Sequence, residues 1–114
     1  SKQRFASAQL IALFEGELWR DSASHANAMA TRLRAALVDA AATGRLSFTQ
    51  ATESNAVFAR LPFAAAEALR ARFGFYDWAG PFTDGTVEVR WMCSWDTTTD
   101  DVDAFAEAIT TALA

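Results

Sequence analysis

Arg90 is the side chain of this sequence best suited to do chemistry. It stands in the middle of an alternating run, Thr86 to Trp95, on the face opposite Val89 and Trp91. A guanidinium there must pair or reach water, because burying it unpaired is very unfavourable. Two readings follow. Glu88, two residues away on the same face, is a candidate ion-pair partner. Alternatively, the planar fork is aimed at a carboxylate or phosphate, in a bidentate geometry that lysine cannot reproduce.

The other reactive types point to packing. His25 falls at the start of a long helical stretch, with no cysteine or acid at ligand spacing, and reads as a capping or packing histidine. Cys93 lies between Trp91 and Trp95 on an aromatic strand face, where a thiol behaves as a small hydrophobe. One cysteine and one histidine exclude an internal disulfide framework, a thiolate zinc site and a two-histidine metal site. No metal site is therefore expected in this chain, and most self-contained catalytic constellations are removed. The ten cations are Lys2 and nine arginines. A Schiff-base lysine needs a desolvated or cation-flanked pocket, and Lys2 stands next to a chain end, where backbone usually frays. The four tryptophans resemble a base-stacking set, but no basic groove accompanies them. Core and interface packing is the better reading. A net charge of -4 with no basic cluster predicts no nucleic-acid partner.

These residues need a scaffold, and 114 residues provide one domain, 1–114. At 52% hydrophobic and 21% charged residues the composition is globular. No apolar run is long enough to span a bilayer, so no membrane partner is expected and the protein reads as cytoplasmic. The chain opens inside a helical pattern, with no initiator Met and no leader, and is expected to be part of a longer protein. Leu10, Leu13, Phe14 and Leu18 line one face of a first helix. A bend is expected between Gly16 and Ser24. A long helix follows from about Ser24 to Ala41, with Ala26, Met29, Ala30, Leu33 and Leu37 as its inner stripe and Gly44 as a left-handed cap.

The period then changes. Arg45–Phe48 and Ala56–Leu61 are predicted strands, and Phe63–Arg72 is a short helix behind Pro62, capped by Gly74. Phe75–Trp78 is a further strand, and Ala79-Gly80-Pro81 a turn. Asp84-Gly85 is a hairpin signal that leads into Thr86–Trp95, with Val87, Val89, Trp91, Cys93 and Trp95 on one face. Thr97, Thr98 and Thr99, followed by Asp100 and Asp101, mark the start of a last helix with Val102, Phe105, Ala106, Ile109 and Leu113 inside. Short strands joined by hairpin turns predict an α+β fold. It has an antiparallel sheet of three to four strands, helices on one face, and a long helix before it.

The run Val89-Arg90-Trp91-Met92-Cys93-Ser94-Trp95-Asp96-Thr97-Thr98, continued by Asp100-Asp101-Val102-Asp103-Ala104-Phe105, resembles the C-terminal segment of the low-specificity L-threonine aldolases. These are pyridoxal-phosphate enzymes of fold type I. Arg4-Phe5-Ala6-Ser7-Ala8-Gln9, His25-Ala26-Asn27-Ala28-Met29-Ala30 and Asn55-Ala56-Val57-Phe58-Ala59-Arg60-Leu61-Pro62 resemble three further stretches of that family, in its order. The resemblance implies a small C-terminal domain packed on a large cofactor-binding domain, in a lyase that cleaves β-hydroxy-α-amino acids to glycine and an aldehyde. It implies pyridoxal phosphate in the full-length enzyme but not on this chain, a threonine-like substrate, and a homo-oligomer. The family's Schiff-base lysine would lie upstream, and Lys2 does not match it. His25 matches no catalytic histidine. Of the family's active-site groups only the arginine that binds the substrate's α-carboxylate carries over, to Arg90, so the resemblance implies no catalytic residue in this chain. The rival reading is a free-standing α+β ligand-binding or dimerisation module in which Arg90 only forms an ion pair.

Overall fold

The computed structural model describes residues 16–114, with side chains from residue 21 onward. The expected first-helix positions Leu10, Leu13 and Phe14, and the side chain of Leu18, lie outside the described residues. The chain orders as α1 (Gly16–Ala36), α2 (Val38–Ala42), β1 (Ser47–Phe48), β2 (Ala56–Pro62), α3 (Phe63–Arg70), β3 (Tyr76–Ala79), β4 (Thr86–Met92) and α4 (Thr99–Leu113). The four strands form one antiparallel sheet in the order β1-β2-β4-β3. Among the described residues no helix is long and apolar enough to cross a membrane.

The core lies between the helices and one face of the sheet. Val57, Ala59 and Leu61 of β2 and Val87, Val89 and Trp91 of β4 point into it. They meet Met29, Ala30 and Leu33 of α1, Ala66 and Leu69 of α3, and Val102, Ile109 and Leu113 of α4. The period of two on the strands and of three to four on the helices brings all of these to one interior. The α+β architecture with helices on one face is the one expected.

Four local expectations are corrected. No bend separates Gly16 from Ser24, because α1 runs unbroken through both. A serine inside a helix costs only a fraction of a kcal/mol, roughly 0.5, and no proline intervenes. His25 therefore sits within α1 and not at its start. The helix breaks instead at Leu37, whose N–H bonds to the Arg34 carbonyl at 3.1 Å, a tighter three-residue turn. The break lets both Leu37 and Ala40 reach the core. Gly44 is left-handed, as expected, with φ of 84°. Gly74 is not, since α3 closes through Phe73 N–H donating to the Leu69 carbonyl at 2.9 Å, and no positive φ is required. Last, β4 ends at Met92, so Trp95 leaves the strand face. Ser94 N–H donates to Thr97 Oγ1 at 2.9 Å and Ser94 Oγ to Asp96 at 2.7 Å, and these local bonds replace the ladder.

The last helix begins as its sequence demands. Thr98 Oγ1 accepts from Asp101 N–H at 3.0 Å, and the Asp101 carboxylate accepts from Thr98 N–H at 2.9 Å, a reciprocal cap.

Candidate functional site

The sheet has a second face, turned away from the helices, and Arg90 stands in its middle. In β4 the pleat sends Glu88, Arg90 and Met92 outward while Val89 and Trp91 go in. Antiparallel register sets Phe58 of β2 opposite Arg90 on one side and Tyr76 of β3 opposite it on the other. Directly opposed residues share a face, so the guanidinium rises between two aromatic rings.

A third ring arrives by an irregularity. Tyr76 pairs with Arg90 and Asp77 with Val89, but Ala79 and not Trp78 pairs with Glu88. Trp78 is the extra residue of a β-bulge. Such an insertion bends the strand and re-aims a side chain. The Arg90 guanidinium carbon lies 5.1 Å from the centre of the Trp78 ring. Phe58 meets the same indole nearly edge-on, at 5.2 Å and 74°. Trp78 is 51% exposed and Tyr76 77%.

Arg90 makes no ion pair among the described residues. Its Nε is buried and has no hydrogen-bond partner there. The expected alternative partner is engaged elsewhere, because Glu88 accepts from Thr49 Oγ1 at 2.5 Å. Nearby acids are taken too. Arg60 donates to Asp84 at 2.9 Å and to Thr86 Oγ1 at 2.7 Å, and lies over the Phe82 ring. On the opposite, helical side Arg70 holds Glu67 at 2.7 Å and Asp77 at 2.5 Å. Hydrogen bonds from Thr86 hold the Asp84 carboxyl below the usual carboxylate range. A half-buried guanidinium with an unmet donor, on a wall of aromatic rings, is a site for a planar anion.

The other sequence candidates lie apart from it. His25 donates Nε2–H to the Thr97 carbonyl at 2.5 Å and so ties α1 to the turn after β4. Cys93 is buried in the core, and burial pushes its thiol up, away from the reactive thiolate. A cleft of about 300 Å³ opens on the helical side, where Trp91, Cys93, Phe73, Phe75 and Phe105 are among its walls and, among the described residues, no basic side chain lines it. Among the described residues no cluster of three or more His, Cys, Asp or Glu is placed to hold a metal.

Sequence reasoning found Arg90 and missed its aromatic surroundings. It grouped the tryptophans as core and interface packing residues: Trp91, at 2% exposure, is core, and Trp78, at 51%, lies on the outer face beside Arg90. Tyr76 and Trp78, two residues apart, were the visible part of those surroundings; the register and the bulge that bring them to Arg90 were not.

No family model matches the chain. The low specificity L-threonine aldolase of Pseudomonas aeruginosa is 40% identical over 110 residues, which cover 96% of this chain and 30% of that protein. The enzyme of the same name from a Pseudomonas species is 38% identical over 98 residues, 85% of this chain and 26% of that one. Among solved structures, a threonine aldolase of Leishmania major superposes with a TM-score of 0.75 at 28% identity, over 90% of this chain and 28% of that one. The chain thus spans less than a third of the length of these relatives, and over that span it is similar in sequence to low specificity L-threonine aldolases and in fold to a threonine aldolase.

Proposed function

We propose that this chain is the C-terminal small domain of a pyridoxal-phosphate-dependent, threonine-aldolase-like lyase. The full-length enzyme cleaves β-hydroxy-α-amino acids to glycine and an aldehyde. The outer sheet face turns toward the large domain, and Arg90 receives the substrate's α-carboxylate. The observation that carries this is that Arg90, with an unpartnered Nε, has no ion pair among the described residues, while Glu88 and Asp84 beyond it are engaged elsewhere. A carboxylate that accepts two parallel N–H bonds is fixed in direction as well as place. Holding it there orients the Cα–Cβ bond to be broken.

The described residues do not fit the cofactor itself. The N-terminus of α4 is closed by its own Thr98–Asp101 cap and carries Asp100 besides, which repels a phosphate. The first N–H of α3 donates to the Gly85 carbonyl at 2.8 Å. Lys2 is the chain's single lysine and lies outside the described residues. In this reading pyridoxal phosphate and the catalytic lysine belong to the rest of the enzyme. The full-length protein is a cytoplasmic homo-oligomer in this reading.

Two measurements test the proposal. The 114-residue chain, titrated with pyridoxal phosphate, should show no stoichiometric imine band that survives dialysis. Arg90→Lys in the full-length enzyme should lower kcat/KM for every amino-acid substrate alike, since all share the carboxylate, and leave cofactor retention unchanged. Normal turnover with lowered stability would remove Arg90 from the site.

A further inference from the structure

We propose that Trp78 is the positioning residue for Arg90: its indole is a stacking plate that holds the guanidinium fork in the orientation a substrate carboxylate needs. This rests on the reading of Arg90 as the carboxylate site. The geometry comes from three strands at once. Arginine is a long, flexible side chain, and Arg90 has no ion pair among the described residues to anchor it. The wall around it does that work. Phe58 and Tyr76 flank it across the ladders, and the Trp78 ring lies 5.1 Å from the guanidinium carbon.

Planar guanidinium on indole is a favourable contact, and it leaves the fork's N–H groups free for an acceptor in the plane. A carboxylate partner inside the chain would have fixed Arg90 equally well, but it would have filled the same donors. Stacking is the way to hold this cation without saturating it. Two further features assign the task to Trp78. The bulge takes it out of the regular ladder, where it would have stood opposite Glu88. Phe58 then braces the indole from the side at 5.2 Å. A tryptophan that served only to fill the core would point inward, as Trp91 does.

The test is a cycle in the full-length enzyme. Trp78→Ala should raise KM for threonine roughly 5- to 30-fold, with kcat changed less, because a contact equal in ground and transition states is lost. Trp78→Phe keeps a ring under the guanidinium and should recover most of that KM; it also remains interpretable if the alanine variant folds poorly. In an Arg90→Ala background, Trp78→Ala should lower kcat/KM by no more than about 2-fold further, since residues that act through one another are not additive. An equal loss with and without Arg90 would overturn the role given to Trp78, and so would a silent Trp78→Ala in an enzyme that Arg90→Ala impairs. An Arg90→Ala enzyme with unchanged KM would bring down the carboxylate reading itself, and this inference with it.

Discussion

The two faces of β4 are made by the same seven residues and reach opposite ends. Inward, Val87, Val89 and Trp91 meet aliphatic and aromatic side chains from three helices, and the one polar atom they carry there, Trp91 Nε1, is buried without a hydrogen-bond partner among the described residues. Outward, Glu88, Arg90 and Met92 share a surface with Tyr76, Trp78 and Phe58, where rings stay exposed and a guanidinium has no ion pair among the described residues. A face built only for water would carry small polar and charged groups. The inner face shows what holds the domain together, and the outer one where a further molecule has something to add. Substitutions on the two faces should therefore separate: inner ones act on stability, outer ones on turnover.

The largest effect is expected inside. Leu61→Ala, at a fully buried position of β2, should destabilise the chain by about 2–5 kcal/mol, read from urea unfolding. Arg90→Lys should reverse the pattern. Unfolding should shift by less than about 0.5 kcal/mol, while kcat/KM in the full-length enzyme falls about 10- to 100-fold as charge-assisted bonds are lost. A variant that lost stability and kept turnover would erase the distinction between the faces.

Smaller effects sharpen it on the helical layer, away from the outer face. Thr98→Ala opens the reciprocal cap of α4 and should cost about 1 kcal/mol in unfolding, with activity retained. The Arg32–Asp103 pair joins α1 to α4 by two bonds of 3.0 and 2.9 Å. The Arg32 hydrogen bond, with its charge, holds the Asp103 carboxyl below its ordinary value. Its folded pKa is depressed, so the pair's stabilisation is present above the ordinary carboxylate range and is lost as pH falls through the lowered folded value. Melting curves of wild type and Arg32→Ala should differ slightly at neutral pH and converge in acid. Both side chains are about half exposed, so this is the smallest difference of the set.

What the sequence disclosed follows the range of the interactions involved. The alternation of β4, the stripe and cap of α4, and the left-handed Gly44 depend on neighbours a few positions away, and they are readable as written. The core stripe from Ala26 to Leu37 is readable for the same reason, although the break at Leu37 is not. That break answers to what Leu37 and Ala40 must reach in three dimensions, and no glycine or proline announces it. The shortening of β4 before Trp95 depends on hydroxyl and carboxylate bonds that compete with the ladder. Arg90 could be singled out because a cation in an alternating strand is conspicuous. Its setting could not, since Phe58, Tyr76 and Trp78 come to it through cross-strand register and a bulge, neither of which a single stretch of residues encodes.

That bulge has a second consequence, at the rim of the sheet. Edge strands expose unpaired N–H and C=O groups on which another chain can add, and folded proteins blunt such edges by shortness or irregularity. Here one edge, β1, is two residues long, and the other, β3, is four residues long and interrupted at Trp78. A straightened β3 would offer an even row of donors and acceptors, bordered by exposed Tyr76 and Trp78, to any neighbouring molecule. The irregularity that turns the indole toward Arg90 also keeps this aromatic margin from serving as a template for fibre growth.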